Sequence, residues 1–511
     1  MNESDPRRWW TLGAVCVATF MLLLDITVVN VALPAIRQDL GATFEELQWV
    51  VDAYALGLAT FMLTAGSLAD LLGRRRIFVA GLAIFTVASL LCGLSQSAVA
   101  LDLARALQGV GGSAMFATSL ALLATAFTGR ERGTALGIWG ATIGASVAIG
   151  PLVGGVLVEH VSWQSIFFVN LPIGVAAIAV TLRTVQESRD PAAGRIDWAG
   201  LVAFSAALFA LVFALVRGNA EGWGSTLIVG LLVASAVLLA VFVVIESRRE
   251  RPMLDLTLFR KPAFTGVSIV AFALSAGMFS MFLYLTLYLQ NTLGFSPLEA
   301  GLRFLPLTLV SFVCAALSGN LTERVQVRFL MAAGLVCVGV GLLLMAGLDQ
   351  NTKWTHLLPG FILSGAGVGL TNPAIAATAV GVVDPRRAGM AAGINNTFRQ
   401  VGIATGIAGL GAILQAHVTD NVVNALAATG AHRPPGVRLP PAEVLAQGDP
   451  RVLGPFRDAF VAGYTDSLNE LLVVGAIVAL LGAAASLVLV RQRDFVQQPA
   501  AAPEAAPAAG A

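Results

Sequence analysis

The sequence of 511 residues has little charge. Asp, Glu, Lys and Arg make up 12% of it, whereas a typical soluble domain carries about 25%. Hydrophobic residues make up 57% of the chain, and so few charges cannot cover a soluble protein of this length. The 31 basic residues nearly balance the 30 acidic ones. This balance excludes the basic excess that nucleic-acid binding requires.

Residues that serve catalysis or metal binding are also scarce. The four histidines are scattered without metal-ligand spacing. The four cysteines lie in apolar runs, where we interpret them as small packing residues rather than a disulfide framework. The sequence has no Gly-x4-Gly-Lys-Ser/Thr phosphate loop, which argues against ATP-driven pumping by this chain. We therefore expect no enzyme, no metal site and no cofactor.

Long apolar runs dominate the sequence instead. A membrane-spanning helix needs about 20 predominantly apolar residues, and fourteen stretches approach or exceed that length. The runs are continuous rather than alternating, which indicates helices and not a β-barrel. The sequence therefore predicts an all-α integral membrane protein with fourteen transmembrane helices. The predicted spans are 10–33, 47–68, 77–96, 99–122, 133–158, 165–183, 197–217, 225–245, 263–290, 300–319, 328–348, 356–382, 388–416 and 467–490.

The distribution of basic residues predicts the orientation. One set of tails and loops, which includes both termini, holds 21 of the 31 basic residues, and the opposite set holds 7. Because basic residues are enriched in cytoplasmic loops, this excess places both termini in the cytoplasm. The remaining three, Arg105, Arg303 and Arg399, lie within or at the mouth of predicted spans.

Two short repeats indicate a duplicated architecture. Segment 66–75 resembles segment 319–328 at an offset of 253, and 132–137 resembles 387–393 at an offset of 255 to 256. Transporters are often built from such halves, so we expect an arrangement of six, two and six helices. The loop at 417–466 either covers the extracellular mouth or is a variable insertion, and we favour the insertion. The predicted domains are an N-terminal bundle at 1–190, two inserted helices with a cytoplasmic loop at 191–262, a C-terminal bundle at 263–496 and a disordered tail at 497–511.

Three charged residues lie inside the spans of the first half. Asp25, Asp52 and Arg105 each stand five or six residues below the predicted outer end of a helix, a depth of roughly 8–10 Å. A charge at the membrane centre costs about 2.5–3.5 kcal/mol on insertion scales, so we expect the three to share an interior cavity. A carboxylate there can load and release a proton or attract a lipophilic cation. The alternative interpretation is a static ion pair that holds helices together.

Polar residues also lie inside the second half. Arg399 is near the middle of span 13, with Asn395 and Asn396 beside it. These side chains either line the cavity or form interhelical hydrogen bonds, and the pattern favours neither. In the first half, Asn30 is a further candidate for cavity lining.

Span 5 is rich in small residues. Gly140, Gly144 and Ala148 recur every four residues, and the segment Gly150-Pro151-Leu-Val-Gly154-Gly155 follows. Small residues at this spacing let helices approach closely, and proline kinks a helix. We expect a tight contact that rearranges or seals, with simple packing as the alternative.

Several of these segments together resemble the fourteen-helix drug:proton antiporter family of the major facilitator superfamily. The resemblance covers roughly residues 10–416 and span 14. It is carried by Leu24–Pro34 in span 1, Gly66–Arg76 after span 2, Arg105–Gly111 in span 4, Gly144 with Gly150–Gly155 in span 5, and Phe167–Gly174 in span 6.

The resemblance implies roles for individual residues. Asp25 would be a proton or cation-substrate site, Arg105 would tune proton exchange, and Asp52 is similar to an acid in the branch that exports quaternary ammonium compounds and dyes. Gln164 stands where the family has arginine, which puts an outer-loop contact in doubt. A conformational latch would comprise Gly66, Asp70, Gly73 and Arg74, and the antiporter motif, which marks exporters, would comprise Gly144, Gly150, Pro151, Gly154 and Gly155.

The sequence thus predicts a proton-coupled exporter of lipophilic or cationic drugs that works by alternating access in the bacterial cytoplasmic membrane. Its expected partners are drug-like small molecules, protons and the lipid bilayer, with no nucleic acid, and we expect a functional monomer. Two Lys against 29 Arg indicate a high-GC bacterium, so a self-resistance exporter of one endogenous metabolite is the alternative. A proton-coupled importer fits less well, because the Gly150-Pro151 motif argues for export. A receptor or scaffold would not require a buried Asp25.

Overall fold

The protein is described here by a computed structural model. The described residues are 7–42, 44–127, 129–189, 198–249, 256–322, 324–349, 352–383, 388–428 and 457–495. Within these ranges all regular elements are helical. The helices of the first half are α1 (Arg7–Leu40), α2 (Phe44–Leu72), α3 (Arg74–Gly93), α4 (Ala98–Ala126), α5 (Gly129–His160), α6 (Ser165–Phe168) and α7 (Asn170–Thr184).

Two inserted helices separate the halves. They are α8 (Trp198–Glu221) and α9 (Thr226–Ser247). The helices of the second half are α10 (Pro262–Leu274), α11 (Met281–Leu287), α12 (Pro297–Leu321), α13 (Val327–Met345), α14 (Leu358–Gly381), α15 (Ala388–Ala428) and α16 (Arg457–Leu489). Short 3-10 turns precede α10 at Leu256–Arg260 and α14 at Trp354–Leu357, and a third follows α16 at Gln492–Asp494.

The helices are apolar enough to cross a membrane. Among the described residues twelve segments meet this criterion, and thirteen do if the bent pair Trp49–Met62 and Thr64–Leu72 is one span. Helix α5 occupies the position of predicted span 5 but is not among them. The all-α membrane class is confirmed, whereas the count of fourteen spans and the cytoplasmic termini stay predictions.

Serine caps begin several helices. The hydroxyl of Ser97 accepts from Ala100 N at 3.3 Å at the start of α4, and Ser225 does the same for Ile228 N at α9. At α12, Ser296 and Glu299 cap each other's backbone N–H groups. Such caps satisfy backbone donors that have no partner inside the helix, and they fix where these spans begin.

The two halves each have their own packing and meet along a defined seam. In the first half α4 packs against α2 and α3, and α1 packs against α5 and α7. In the second half α14 packs against α12 and α13, and α16 packs against α13, α15 and α10. Helix α5 contacts α12 and α14 across the seam, and α15 contacts α2 and α4. The inserted helix α8 touches both α2 and α15, so it lies against the seam from one side.

Helix α1 extends beyond its predicted end. It continues from residue 33 to Leu40, and near its end Asp39 Oδ2 accepts from Trp163 Nε1 at 2.8 Å and from Gln164 Nε2 at 3.2 Å. These bonds stabilise the polar end of α1, which hydropathy alone does not predict to be part of the helix. Gln164 therefore makes a contact of its own with the end of α1.

The loop predicted at 417–466 is helical at both ends. Helix α15 continues to Ala428 and α16 begins at Arg457. No proline or glycine interrupts the sequence from 417 to 428, so nothing in it ends the helix earlier. The central part of that loop and the predicted tail at 497–511 lie outside the described residues.

The ninth span is not a continuous α-helix. Between α10 and α11, and again after α11, the helix widens into π-helical turns at Ser275–Phe279 and Tyr288–Thr292. Such turns often occur at functional sites. The first of them carries Phe279, which faces the seam between the halves.

Candidate functional site

A buried ion pair joins two helices of the first half. Arg105 on α4 donates through Nη1 to Asp25 Oδ2 on α1. Asp25 is 3% exposed and Arg105 is 1% exposed. Arg105 Nε also donates to the backbone oxygen of Val50 on α2 at 3.0 Å. The structure thus brings two of the three predicted in-span charges together.

A shell of uncharged polar side chains surrounds this pair. Gln108 Nε2 and Asn170 Nδ2 donate to Asp25 Oδ1 at 2.9 and 3.2 Å. Both amides also donate to Ser89 Oγ, at 2.7 and 3.3 Å, and Gln108 Oε1 accepts from Arg105 Nη1 at 2.7 Å. The carboxylate of Asp25 therefore accepts from three donors on α4 and α7.

Aromatic rings close the site. The Arg105 guanidinium carbon lies 4.2 Å from the ring centroid of Tyr54 and 5.8 Å from that of Phe167. The hydroxyl of Tyr54 donates to Leu22 O at 3.2 Å. Because a cation over a ring face is attracted by the ring's quadrupole, these rings stabilise the guanidinium while excluding water.

Close helix packing positions Arg105. A Cβ on Gly57 of α2 would lie 2.5 Å from Ala106 O of α4, and a Cβ on Gly109 would overlap Tyr54 O. Glycines at both positions let the two backbones touch. This contact is what places the Arg105 side chain within reach of Val50 O.

Two other predicted site residues, Asp52 and Asn30, lie on the neighbouring part of α2 and on α1 itself. Asp52 is part-buried on α2, and it is not among the hydrogen-bonding partners that the structure gives Asp25. Asn30 lies on α1, but its side chain is outside the described residues. The structure therefore brings Asp25 and Arg105 together in an ion pair, whereas the part of Asp52 in a shared site stays a prediction.

The glycines of the predicted antiporter motif in α5 contact two different helices. A Cβ on Gly150 would overlap the Thr27 side chain of α1, and one on Gly154 would lie 3.2 Å from Val28 Cα. Gly144 instead faces the second half, with its Cβ position 3.5 Å from Ser311 Oγ. Gly155 is part-buried, and the side chain of Pro151 lies outside the described residues. The motif thus packs α5 against α1 next to Asp25 and also against the opposite bundle.

The predicted latch connects the halves. Arg74 Nε and Nη2 donate to Asp70 Oδ1 at 3.0 and 2.8 Å. Asp70 Oδ2 accepts from the backbone N–H of Met390 at 2.8 Å, at the start of α15 in the second half. A carboxylate at a helix N-terminus is favoured by the helix dipole. Gly66 is buried one turn earlier on α2.

The turn between α2 and α3 requires glycine. Gly73 has φ +116°, which side chains rarely adopt. Next to it, the carboxylate of Glu187 accepts from the backbone N–H groups of Arg75 and Arg76 at 3.1 and 3.2 Å. Glu187 is not predictable from the sequence as a site residue, because nothing local shows that the segment after α7 returns to cap α3.

A second contact between the halves lies at the same end. A Cβ on Gly133 of α5 would lie 2.6 Å from Gly319 O of α12, and a Cβ on Gly319 would lie 2.5 Å from Gly133 O. The two backbones touch there. Together with the contact of Asp70 and Met390, this closes the end of the seam that the basic residues predict to be cytoplasmic.

The predicted polar residues of the second half are buried near the seam. Arg399 is 8% exposed, and Asn395 and Asn396 are each 1% exposed. Arg399 Nη1 donates to Asn372 Oδ1 at 3.1 Å, and its guanidinium carbon lies 5.7 Å from the Phe279 ring centroid. A small cavity between the halves is lined by Ile143 and Gly144 of α5 and by Phe279, Phe282, Leu307, Thr308, Ser311, Val368 and Asn372.

The two helical bundles bury an ion pair in one of them, share the hydrogen bond of Met390 with Asp70 and enclose a small cavity at their seam. This arrangement is typical of a membrane transporter. The chain belongs to the Major Facilitator Superfamily, whose family model matches residues 15–407, over three quarters of its length.

Its relatives include multidrug and antibiotic resistance proteins. The chain is 39% identical to the multidrug resistance protein Stp of Mycobacterium tuberculosis (strain CDC 1551 / Oshkosh) over 407 residues, which cover 80% of this chain and 76% of that protein. It is 38% identical to the puromycin resistance protein pur8 of Streptomyces alboniger, covering 79% and 81%. It is 36% identical to the tetracenomycin C resistance and export protein of Streptomyces glaucescens, covering 81% and 77%.

Solved structures share the fold. The human organic anion transporter MFSD10 (TETRAN) has a TM-score of 0.61 at 13% identity, and the similarity covers 93% of this chain and all of that one. A bacterial homologue of the human lysosomal transporter Spinster, in an inward-facing and unoccupied conformation, has a TM-score of 0.59 at 19% identity, covering 97% and 100%.

Proposed function

We propose that this chain exports drug-like small molecules across the bacterial cytoplasmic membrane in exchange for protons. The resistance and export functions named for relatives at 36 to 39% identity support export. In this proposal the proton gradient supplies the energy without a cofactor, and the monomer is the working unit.

The observation that carries the proton coupling is the buried pair of Asp25 and Arg105. A proton that binds Asp25 removes the negative charge that Arg105 faces. Arg105 then keeps its bonds to Val50 O and Gln108 Oε1, while its attraction to α1 is weakened. Protonation therefore loosens α1 from α4, and release of the proton restores the pair. In this scheme Asp25 carries the proton, and Asp52 has at most a secondary role.

The packing around α5 couples this change to the seam. Helix α1 touches α5 at Gly150 and Gly154, and α5 touches the second half at Gly133 and Gly144. A shift of α1 therefore acts on the contact between the halves. In the proposed cycle the bond between Asp70 and Met390 breaks when the cytoplasmic end opens.

A self-resistance exporter of one endogenous metabolite is the second candidate. It is favoured by relatives that are named for single compounds, puromycin and tetracenomycin C. Efflux of several unrelated dyes would favour the multidrug exporter, whereas efflux of none of them would favour the single-metabolite pump.

Efflux from intact cells tests the proposal. Cells that express the wild type, Asp25→Asn or Asp52→Asn are loaded with fluorescein or ethidium, and efflux of each dye is followed with and without a protonophore. We expect the wild type to export dye and the protonophore to abolish this export. We expect Asp25→Asn not to export dye. Export that persists without a proton gradient would contradict the mechanism.

A further inference from the structure

Two of the buried arginines, Arg105 and Arg399, are held very differently. In the first half, Arg105 faces the Asp25 carboxylate, and Asp25, Gln108 and Val50 all accept hydrogen bonds from it. In the second half, Arg399 is also more than nine-tenths buried. Among the described residues no carboxylate pairs with it, and its hydrogen-bond acceptor is a single uncharged amide oxygen, that of Asn372.

A buried cation without an anion is unfavourable. Taking a charge out of water is offset only when an opposite charge or a full set of hydrogen bonds replaces the water. Arg399 has five N–H donors, and one of its nitrogens has a protein acceptor in the described part of the chain. The remaining donors and the positive charge are available to an anion.

The Arg399 guanidinium stands beside the cavity at the seam. Its two contacts, Asn372 and Phe279, both line that cavity. Phe282 and the hydroxyl-bearing Thr308 and Ser311 line it as well. The cavity therefore has aromatic surface and a few hydroxyl groups and lies beside one cation, groups that a pocket for an amphipathic ligand combines. Its volume is about 10 Å³ in this conformation, so the cavity must widen before it holds such a ligand.

Other buried polar groups near Arg399 are also unsatisfied. Within the described residues, the side-chain amide of Asn396 has no hydrogen-bond partner at either polar atom, and Nδ2 of Asn395 has none. Ser275 Oγ is likewise without a partner, and Ser275 packs against Gly402, one turn after Arg399 on α15. Because native proteins pair nearly all buried polar groups, this cluster is incomplete in the conformation described.

The carboxylate of Asp25 already has hydrogen-bonding partners within the protein. Both of its oxygens accept hydrogen bonds, one from Arg105 and the other from Gln108 and Asn170. A cationic substrate at Asp25 would have to displace Arg105. The sequence-based expectation of cationic substrates therefore has little support from the geometry of this site.

We propose that the exported molecules are aromatic and carry an acidic group whose anion pairs with Arg399. The aromatic part lies against Phe279 and Phe282, and the anion replaces the missing counter-charge. This inference rests on the proposed export function, because it names the substrate class of the same transporter. It differs from that proposal in assigning recognition to the second half and proton coupling to the first.

Two dyes with the same ring system test the charge preference directly. Fluorescein carries a carboxylate, and rhodamine 123 carries the corresponding methyl ester and a positive charge. Binding of each dye to purified protein in lipid nanodiscs is measured by fluorescence anisotropy without any proton gradient. The variants are Arg399→Gln, Arg399→Lys and Arg303→Gln, the last of which removes an arginine of the same half that stacks on Phe295 away from the cavity.

We expect the wild type to bind fluorescein at least tenfold more tightly than rhodamine 123. Arg399→Gln should weaken fluorescein binding at least tenfold and change rhodamine binding less than twofold, and Arg399→Lys and Arg303→Gln should retain the preference. The inference is overturned if the wild type does not prefer fluorescein, including the case in which it binds neither dye, or if Arg399→Gln leaves the preference intact. If Arg399→Gln does not fold, the relative affinity of the wild type for the two dyes still tests the inference.

The same dyes separate this inference from the export proposal. Asp25→Asn should retain fluorescein binding while losing gradient-driven transport. Gradient-driven export of rhodamine 123 but not fluorescein would refute the inference and leave proton-coupled export standing. Fluorescein binding without gradient-driven transport by the wild type would refute the export proposal alone.

Discussion

At the residue scale, the proposed binding of one proton at Asp25 would change the charge balance of a buried site. Arg105 is 1% exposed, and it depends on Asp25 for the opposite charge. Removal of one partner from a buried ion pair costs about 3–5 kcal/mol, because the other charge stays buried and unpaired. The pair therefore has two states that differ in how firmly α1 is held to α4.

A double-mutant cycle measures this dependence. Asp25→Asn leaves Arg105 charged, so we expect it to lower the unfolding temperature more than Arg105→Gln, after which Asp25 can become neutral by binding a proton. The double variant should be more stable than the sum of the single effects predicts. The measurement is thermal unfolding in nanodiscs, and strictly additive losses would show that the two side chains are not coupled.

Asp52 provides a matched control for Asp25. Both substitutions replace an aspartate by asparagine inside a span of the first half, but the structure places Arg105, Gln108 and Asn170 around Asp25. We expect Asp25→Asn to reduce gradient-driven efflux at least about tenfold and Asp52→Asn to reduce it no more than about threefold. Initial efflux rates at equal expression are compared, and equal losses would assign both acids to the coupling step.

The sequence predicted some residues of this site and missed others for a physical reason. Asp25 and Arg105 stood out because charges are rare in apolar spans. Ser89 did not, because a serine in such a span most often bonds its own helix backbone. Its role depends on the approach of Gln108 and Asn170 from two other helices, and local sequence does not specify that approach.

At the element scale, α5 contacts both α1, at the residues that follow Asp25, and the opposite half. Its glycines face Thr27 and Val28 of α1 on one side and Ser311 and Gly319 of α12 on the other. The sequence predicted the tight contact in span 5 from small-residue spacing. It did not predict the π-helical turn at Ser275–Phe279, because a widened turn has no hydropathy pattern of its own.

Substitution of Gly150 by alanine should separate α1 from α5. The new Cβ would overlap the Thr27 side chain, and such overpacking typically costs about 1–3 kcal/mol. We expect a lower unfolding temperature and slower efflux at equal expression. Gly13→Ala on α1 is the control, because no other helix in the described part of the chain lies within 4 Å of the Cβ position there. If Gly150→Ala behaved like Gly13→Ala, the contact would have no part in coupling.

The bond between Asp70 and Met390 predicts a shift in conformation on mutation. Asp70→Ala removes the acceptor at the start of α15 and the partner of Arg74, so the cytoplasmic end of the seam should open more often. The measurement is the distance between spin labels at positions 72 and 329, which are exposed on the first and second halves, in a protein whose native cysteines are replaced by alanine.

The expected result for Asp70→Ala is a larger population with widely separated labels. Arg76→Ala serves as the control, because this arginine side chain is 72% exposed and does not contact Asp70. An unchanged distance distribution in Asp70→Ala would contradict the latch.

At the scale of the whole molecule, the proposed sites of proton coupling and of substrate contact lie in different halves. The ion pair of Asp25 and Arg105 belongs to the first bundle, the cavity at the seam is lined mostly by the second, and α5 touches both. Composition and hydropathy predicted the helical membrane class, and the family resemblance predicted the superfamily. The placement of the cavity and the cross-bundle cap at Met390 required the packed structure.

Proton flux in proteoliposomes tests proton coupling most directly. Purified wild type, Asp25→Asn and Asp52→Asn are reconstituted with a pH-sensitive dye inside the vesicles, and fluorescein or ethidium is added without an imposed gradient. We predict that a dye transported by the wild type moves protons in the opposite direction, that Asp52→Asn retains this exchange, and that Asp25→Asn loses it. Dye transport by the wild type without any proton movement, or unchanged exchange in Asp25→Asn, would contradict the account.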